Sequence, residues 1–379
     1  AYFHYVSIVQ VQEFLETVSC GETIPLLNTP PSLVALADVT IPKGTAFVLT
    51  GSALDTDSDD VLSYVWEQTD NGIVTQATFG PTSPTGALFR SLPPNASPTR
   101  YFPKLERVIS GDLTQDTPNL NEAWETLSLV ERELNFALTV RDNALNGGQL
   151  TSDEVSVFVT NDAGPFVVTS QDSSVAYVAG EVGTLTWDVA NTNLAPISAE
   201  TVDIFLSTDG GQTFSVTIAE DVMNDGVHDF VIPGVDTSSG RFMVKASENI
   251  FFAVNSSNFS IERSQVILNV ATLDYEICQP DDLVVDFIYN TDLGFVEEST
   301  FSVVGAPEGL TAVFSTPTAT DDNTPVTITF SGAGSLPVGV YPVQVVATSA
   351  SVTKEITLNL AVFDTNFTDV VFTAPINGA

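Results

Sequence analysis

The sequence predicts an all-β chain: tandem immunoglobulin-like/fibronectin-like β-sandwich domains with a short N-terminal helix. Three observations point there. Val, Thr and Phe recur in short segments that alternate apolar and polar, the pattern of a strand with one buried face. The 24 glycines and 21 prolines supply turns between such segments. Long stretches of helical 3.6-residue periodicity are nearly absent. A chain of 379 residues, 43% of them hydrophobic, has material for about three packed cores and is not a disordered polymer.

The N-terminal segment breaks the β pattern. Ser7-Ile8-Val9-Gln10 has the form of a capping box, and Ile8, Val11, Phe14, Leu15 and Val18 then share one helical face. A helix over 7–18 cannot bury that stripe alone. The spacing therefore places residues 1–31 as helix and linker at the end of a preceding domain, closing on Asn28-Thr29-Pro30-Pro31. A first sandwich is expected over 32–163, with strands at 47–49, 62–68, 134–140 and 155–159. It carries an insertion over 79–131 whose one helix-like piece is 121–130. An insertion of that length is functional or packed on a neighbour, and Phe89, Tyr101, Phe102 and Trp124 favour packing.

Gly164-Pro165 opens a second sandwich over 164–264, with strands at 183–189, 201–207, 228–232 and 240–246. A third occupies 265–364, with strands at 283–289, 299–304, 311–314, 326–330, 341–348 and 354–362, a spacing that fits an immunoglobulin-like sandwich. Residues 365–379, with Asp369-Val370-Val371-Phe372-Thr373, read as the opening strand of a following domain.

Eleven Lys and Arg against 48 Asp and Glu give a formal net charge of −37. Such a surface repels phosphate backbones and anionic membranes, which excludes nucleic acid as a partner and leaves divalent cations as counter-ions. No apolar run reaches membrane-spanning length. Ala1-Tyr2-Phe3-His4 lacks the basic region and apolar core of a signal peptide, so the chain reads as an internal part of an exported protein. Cys20 and Cys278 form no C-x-x-C pattern. Each is expected to be a buried free thiol or to pair with a segment outside this chain.

No catalytic or cofactor-binding residue is assigned. His4 and His228 are the two histidines, neither stands in a zinc-site spacing, and no zinc is expected in this chain. There is no G-x-S-x-G elbow or phosphate-cradling glycine loop. With 48 carboxylates, pairs suited to glycoside hydrolysis arise by chance and carry no signal. Ser207-Thr208-Asp209-Gly210-Gly211-Gln212-Thr213-Phe214 has the form of an Asp-box hairpin, a structural motif.

The sharpest local feature is Asp55-Thr56-Asp57-Ser58-Asp59-Asp60. Carboxylates at alternate turn positions converge oxygens on a hard cation, so Asp55, Asp57 and Asp59, joined by Asp142 from the end of a distant strand, are the candidate calcium ligands. The EF-hand pattern fails, because Asp60 stands at its sixth position and Trp66 at its twelfth. An acidic solvated turn is the alternative.

Several blocks in order carry a family resemblance: Asn28-Thr29-Pro30-Pro31, Thr40-Ile41-Pro42-Lys43-Gly44-Thr45, Leu49-Thr50-Gly51-Ser52-Ala53, Tyr64-Val65-Trp66-Glu67-Gln68, Leu88-Phe89-Arg90-Ser91, Ser97-Pro98-Thr99-Arg100-Tyr101-Phe102-Pro103, Trp124-Glu125-Thr126-Leu127, Leu138-Thr139-Val140-Arg141-Asp142-Asn143 and Gly164-Pro165-Phe166-Val167-Val168-Thr169-Ser170. Over 1–261 these resemble the C-terminal, non-catalytic region of secreted reprolysin-like zinc metallopeptidases of Bacteroidetes, and the third sandwich resembles, more loosely, one that often follows. The resemblance implies a catalytic zinc domain upstream, export by the type IX system and an acidic turn of the form D-x-D-G-D, in which Ser58 here replaces the glycine. The expected role is an extracellular or outer-surface stalk that spaces, stabilises or targets a metallopeptidase-like protein. Its partners would be the flanking domains, with self-association or a surface glycan or protein as further possibilities. An adhesin or surface-fibre subunit is one alternative. A carbohydrate-binding module is another, although Trp66 and Trp187 sit in strand patterns that favour cores.

Overall fold

The computed structural model describes residues 2–21, 25–145 and 147–364. The expected strand at 369–373, and all of 365–379, lies outside the described residues. The described chain is all-β apart from two helices, Tyr5–Thr17 and Leu105–Ser110, and the 3-10 turn Ala333–Ser335. Two compact units arise. One takes the chain to Ser174 with Leu185–Val227 and Ser239–Asn258; the other takes Val175–Thr184, His228–Ser238 and the chain from Phe259 onward.

In the first unit, one sheet runs in the order Val39–Pro42, Leu150–Thr160, Arg132–Arg141, Ser63–Gln68. Its first pair is parallel and the others antiparallel. A second sheet is built on Ala46–Thr50, which pairs on one side with Thr99–Phe102, a strand inside the expected insertion. Rings from both sheets interlock. Phe47 stacks on Phe102 at 5.0 Å, while Phe136 and Phe89 meet Phe102 at 4.8 and 5.1 Å. All four are at most 2% exposed. Gly51 is needed at the end of this strand, since a Cβ there would stand 2.2 Å from Leu138 Cδ2.

The other side of Ala46–Thr50 pairs with Phe251–Val254, matching Phe47 to Phe251 and Ala46 to Phe252. That strand continues into Thr237–Ala246, Thr201–Ser207 and Val216–Met223. Strands expected in the first and second sandwiches thus share one sheet. Ala46, Val48, Met243 and Phe252 form a buried cluster on it with Val108 of the helix Leu105–Ser110, flanked by Leu105, Tyr101 and Phe214.

Both helices differ from expectation. The first begins at Tyr5, so Ser7 lies within it, and its N-cap His4 makes no side-chain cap bond. Glu67, on the strand Ser63–Gln68, supplies the missing acceptor: its Oε2 takes the Tyr5 N–H at 2.7 Å and its Oε1 meets His4 Nδ1. A carboxylate from the sandwich has replaced the local cap, which is favourable beside unpaired N–H groups. Of the apolar stripe, Ile8 is buried, whereas Val11, Phe14, Leu15 and Val18 remain exposed.

The helix expected over 121–130 does not form; the insertion's helix is Leu105–Ser110. Pro103 precedes it, and Gly111, at φ 79°, ends it with its N–H on Val108 O and that of Asp112 on Arg107 O. Residues 124–126 are instead drawn into pairing with 88–90: Arg90 N–H donates to Trp124 O and Thr126 N–H to Leu88 O. Glu125, fully buried, accepts from Arg100 Nη2 at 3.2 Å.

The second unit holds a sandwich of two sheets. One runs Val266–Val270, Leu283–Thr291, Thr324–Ser331, Thr311–Phe314. The other runs Asp274–Cys278, Thr353–Phe363, Gly339–Thr348, Ser299–Val304, Thr318–Ala319, with the first pair parallel. Alternation is visible along Leu283–Thr291, where Val285, Phe287 and Tyr289 are buried and Val284 and Ile288 exposed. The Tyr289 hydroxyl finds Ser299 Oγ at 2.8 Å inside the core. Cys20 and Cys278 are both exposed free thiols, which corrects the expectation of buried ones. Cys278 closes a strand whose residues alternate, and it falls on the outward side.

Candidate metal-binding turn and Asp box

The acidic turn lies between the short strand Ala53–Leu54 and the strand Ser63–Gln68. Asp55 Oδ1 accepts the N–H of Asp57 at 2.9 Å, and Asp57 O accepts that of Asp60 at 3.1 Å. The chain therefore folds back over residues 57–60. Asp142 stands just past the strand Arg132–Arg141, fully buried. Its Oδ1 accepts N–H groups of Ala144 and Gln149 at 3.1 and 2.8 Å, and its Oδ2 accepts Asn28 Nδ2 at 2.6 Å. Asn143, at φ 56°, turns its amide to Val61 O and Ser63 Oγ, tying this loop to the acidic turn.

Among the described residues, one group of carboxylates converges: oxygens of Asp55, Asp60 and Asp142 lie within 4.8 Å of one another. Asp57 and Asp59 are not in that group. Asp57 turns Oδ2 to the Thr29 N–H at 2.7 Å, and Asp59 is exposed. Strict alternation pointed to 57 and 59; the reversal at the turn brings residue 60 back to residue 55. The clustering of four aspartates within six residues is the sequence signal that carried Asp60. Asp55 Oδ2 and Asp60 Oδ2 are both buried with no donor. Loss of hydration, and then the charges of Asp142, Asp55, Asp57 and Asp59, hold the Asp60 carboxyl above its ordinary range. Oxygens lacking donors beside a satisfied, buried carboxylate suit a hard, oxygen-seeking cation; nothing in the group offers the nitrogen or sulfur that zinc prefers.

The linker takes part. Asn28 and Thr29 donate to Asp142 and Asp57, and Gln149 Nε2 returns a bond to Asn28 O. Asn28 is thus tied to the cluster through Asp142, and Thr29 to the neighbouring acidic turn through Asp57.

The Asp box behaves as a structural hairpin. The N–H of Thr213 is the chief cause of a lowered Asp209 pKa, to about 2; loss of hydration opposes it, and the Ser207 and Thr213 hydroxyls add to the lowering. Gly211 lies against the insertion helix, since a Cβ there would come 2.7 Å from Ile109 Cδ1. Of the three tryptophans, Trp66 and Trp187 are each 4% exposed, and Trp124 is half-buried beside Phe79.

No family model matches the chain, and no curated protein matches it. Among solved structures it is similar to tandem Ig repeats of Dlar, at 12% identity over 62% of this chain and 98% of that one, with TM-score 0.32. It is also similar to the eight N-terminal Ig domains of Down Syndrome Cell Adhesion Molecule, at 12% identity, 90% and 43% coverage and TM-score 0.19. Domains 4 and 5 of the S-layer protein SbsC match at 12% identity, 52% and 98% coverage and TM-score 0.19. The chain spans less than half of the cell adhesion molecule's fragment. At these TM-scores the likenesses say nothing of what the chain binds or does. No described helix is long and apolar enough to cross a membrane.

Because its folded pKa of about 2 lies below the unfolded value near 3.9, Asp209 contributes stability that is present above pH ~4 and is lost as pH falls through about 2. Asp209→Asn should lower the melting temperature at pH 6, and the gap to the unsubstituted protein should close as the pH approaches 2. A gap unchanged across that range contradicts the assignment.

Proposed function

We propose that the chain is a non-catalytic, extracellular β-sandwich spacer whose N-terminal linker is locked to the first sandwich by calcium. The observation that carries this reading is the pair of donor-free buried oxygens, Asp55 Oδ2 and Asp60 Oδ2, in the cluster that also holds Asn28 through Asp142. Asp55, Asp60 and Asp142 would hold the ion, with Asp57 and Asp59 at its margin. A cation there offsets the lost hydration and the mutual repulsion that together raise the Asp60 pKa, and fixes the linker at the same place. The parent protein in this reading is a secreted metallopeptidase-like protein exported by the type IX system, with its catalytic zinc domain outside this chain. The block-by-block sequence resemblance supports that parent.

An adhesin or surface-fibre subunit is the second reading. The exposed Val11, Phe14 and Leu15 on the N-terminal helix favour it, since an apolar stripe of that kind is a contact surface. The buried positions of Trp66 and Trp187 weigh against a carbohydrate-binding module built on those rings.

Two measurements test the reading. Calcium bound by the folded state alone should raise stability by about 2.7 kcal/mol at a hundredfold excess over Kd, and Asp60→Asn should remove most of that gain. Identical melting in chelator and in millimolar calcium eliminates the calcium lock. The intact mass of the protein isolated from its source should exceed that of this chain by at least a peptidase domain. A mass that leaves no room for such a domain favours the adhesin.

A further inference from the structure

The insertion builds a second feature, away from the acidic turn. Pairing of residues 88–90 with 124–126 sets one wall, through Arg90 N–H to Trp124 O at 3.2 Å and Thr126 N–H to Leu88 O at 3.1 Å. The loop between is organised by Glu122. Its carboxylate accepts Asn119 Nδ2 at 2.7 Å, the Asn119 N–H at 3.1 Å and Gln115 Nε2 at 2.9 Å, and the Asn119 bonds hold its pKa below the ordinary range. Asn119 O in turn accepts the indole Nε1–H of Trp124 at 2.9 Å. Trp124 sits at φ 53°, a left-handed backbone that a large side chain rarely adopts. Strain of this kind persists only where the surroundings impose it, and it recurs at ligand sites.

The result is a pocket of about 350 Å³ lined by Phe79, Phe89, Trp124, Val74 and Leu120, with Arg90 as its one charged lining residue. Phe79 and Phe89 are 3% and 2% exposed. Leu120, itself a lining residue, is 82% exposed and gives the pocket an apolar lip. The ion pairs among the described residues engage His4, Arg100, Arg132 and Arg263, not Arg90. Arg100 and Arg132 are turned inward onto backbone carbonyls, whereas Arg90 is exposed.

We propose that this pocket receives the carboxyl terminus of a partner peptide ending in a large apolar residue. The aromatic floor takes the last side chain, and the Arg90 guanidinium takes the terminal carboxylate, a geometry that allows two parallel hydrogen bonds. A sugar is disfavoured, because the lining supplies few partners for its hydroxyls. The exposed Leu120 extends the apolar surface at the pocket's edge, giving the preceding peptide residues a bed that a lone carboxylic acid would leave uncovered. The chain's net charge of −37 opposes an anion, and salt at physiological strength screens that repulsion beyond about 8 Å.

Calorimetry on the full chain with acetyl-Ala-Ala-Phe tests this. The free acid should bind at least about tenfold more tightly than the same peptide as its C-terminal amide. Arg90→Gln, at an exposed position, should erase that difference and leave melting unchanged. A peptide ending in Gly should lose most of the affinity. Equal binding of acid and amide, an acid preference that survives Arg90→Gln, no binding at millimolar peptide, or 3-phenylpropionate binding as tightly as the tripeptide would each overturn the proposal.

Discussion

The pairing of Phe47 with Phe251 and Ala46 with Phe252 is the contact on which the first unit depends. It makes Ala46–Thr50 an interior strand, and Ala46, Phe47, Val48 and Leu49 are accordingly all buried. One face of the strand feeds the Phe47–Phe89–Phe102–Phe136 cluster. The other carries Ala46 and Val48 into a cluster with Met243, Phe252 and Val108. Ala46 and Val48 make that second face apolar, so it too is stable only when covered, and the insertion helix Leu105–Ser110 supplies the cover. The Asp-box hairpin then closes on that helix at Ile109. Insertion, hairpin and joined sheet form one physical system.

The charge pattern follows from the same packing. Basic residues are scarce, and several serve as hydrogen-bond staples. Arg100 donates to Trp66 O and Arg90 O, Arg132 to Ser83 O and Gly86 O, and Arg241 to Asn255 O. A guanidinium is costly to bury unless its N–H groups find acceptors, and loop carbonyls supply them. Burial accordingly lowers the Arg100 and Arg132 pKa values against the pull of Glu125 and Asp70. With basic charge drawn inward, the surface is left strongly acidic. The turn at Asp55–Asp60 is where that excess is folded against a buried carboxylate, so it is where a counter-ion has most to offset.

Period-two alternation made the strands of the second unit readable, because each sheet there has one buried face. Interior strands of the first unit were harder: Ala46–Thr50 shows a plain apolar run, which identifies a strand without naming its two neighbours. Local signals failed where a distant residue competed. The Ser7–Gln10 pattern lost its capping role to Glu67, 60 positions or so along the chain. The helical appearance of 121–130 yielded to backbone pairing with 88–90 and to the buried Arg100–Glu125 contact. At the acidic turn, residue type was legible and membership was not. Alternation favoured Asp57 and Asp59, while the backbone reversal at Asp57–Asp60 brings Asp60 to Asp55 and Asp142. Arg90 and Trp124 stand in separate blocks of the sequence, and only the paired loops make them neighbours.

The joined sheet makes a direct thermodynamic claim: residues far apart in the first unit unfold together. Trp66 lies in the strand Ser63–Gln68, and Trp187 is held by Asn224 Oδ1 at 2.9 Å in the part of the unit that follows Leu185. With Trp124 replaced by Phe, each indole can be followed alone after Trp→Phe substitution of the other. Denaturant unfolding monitored at Trp66 and at Trp187, compared by far-ultraviolet circular dichroism to allow for any loss of stability from the substitutions, should give coincident transitions. Separate transitions, one for each tryptophan, would show that the shared sheet does not couple the two sandwiches and would contradict the account.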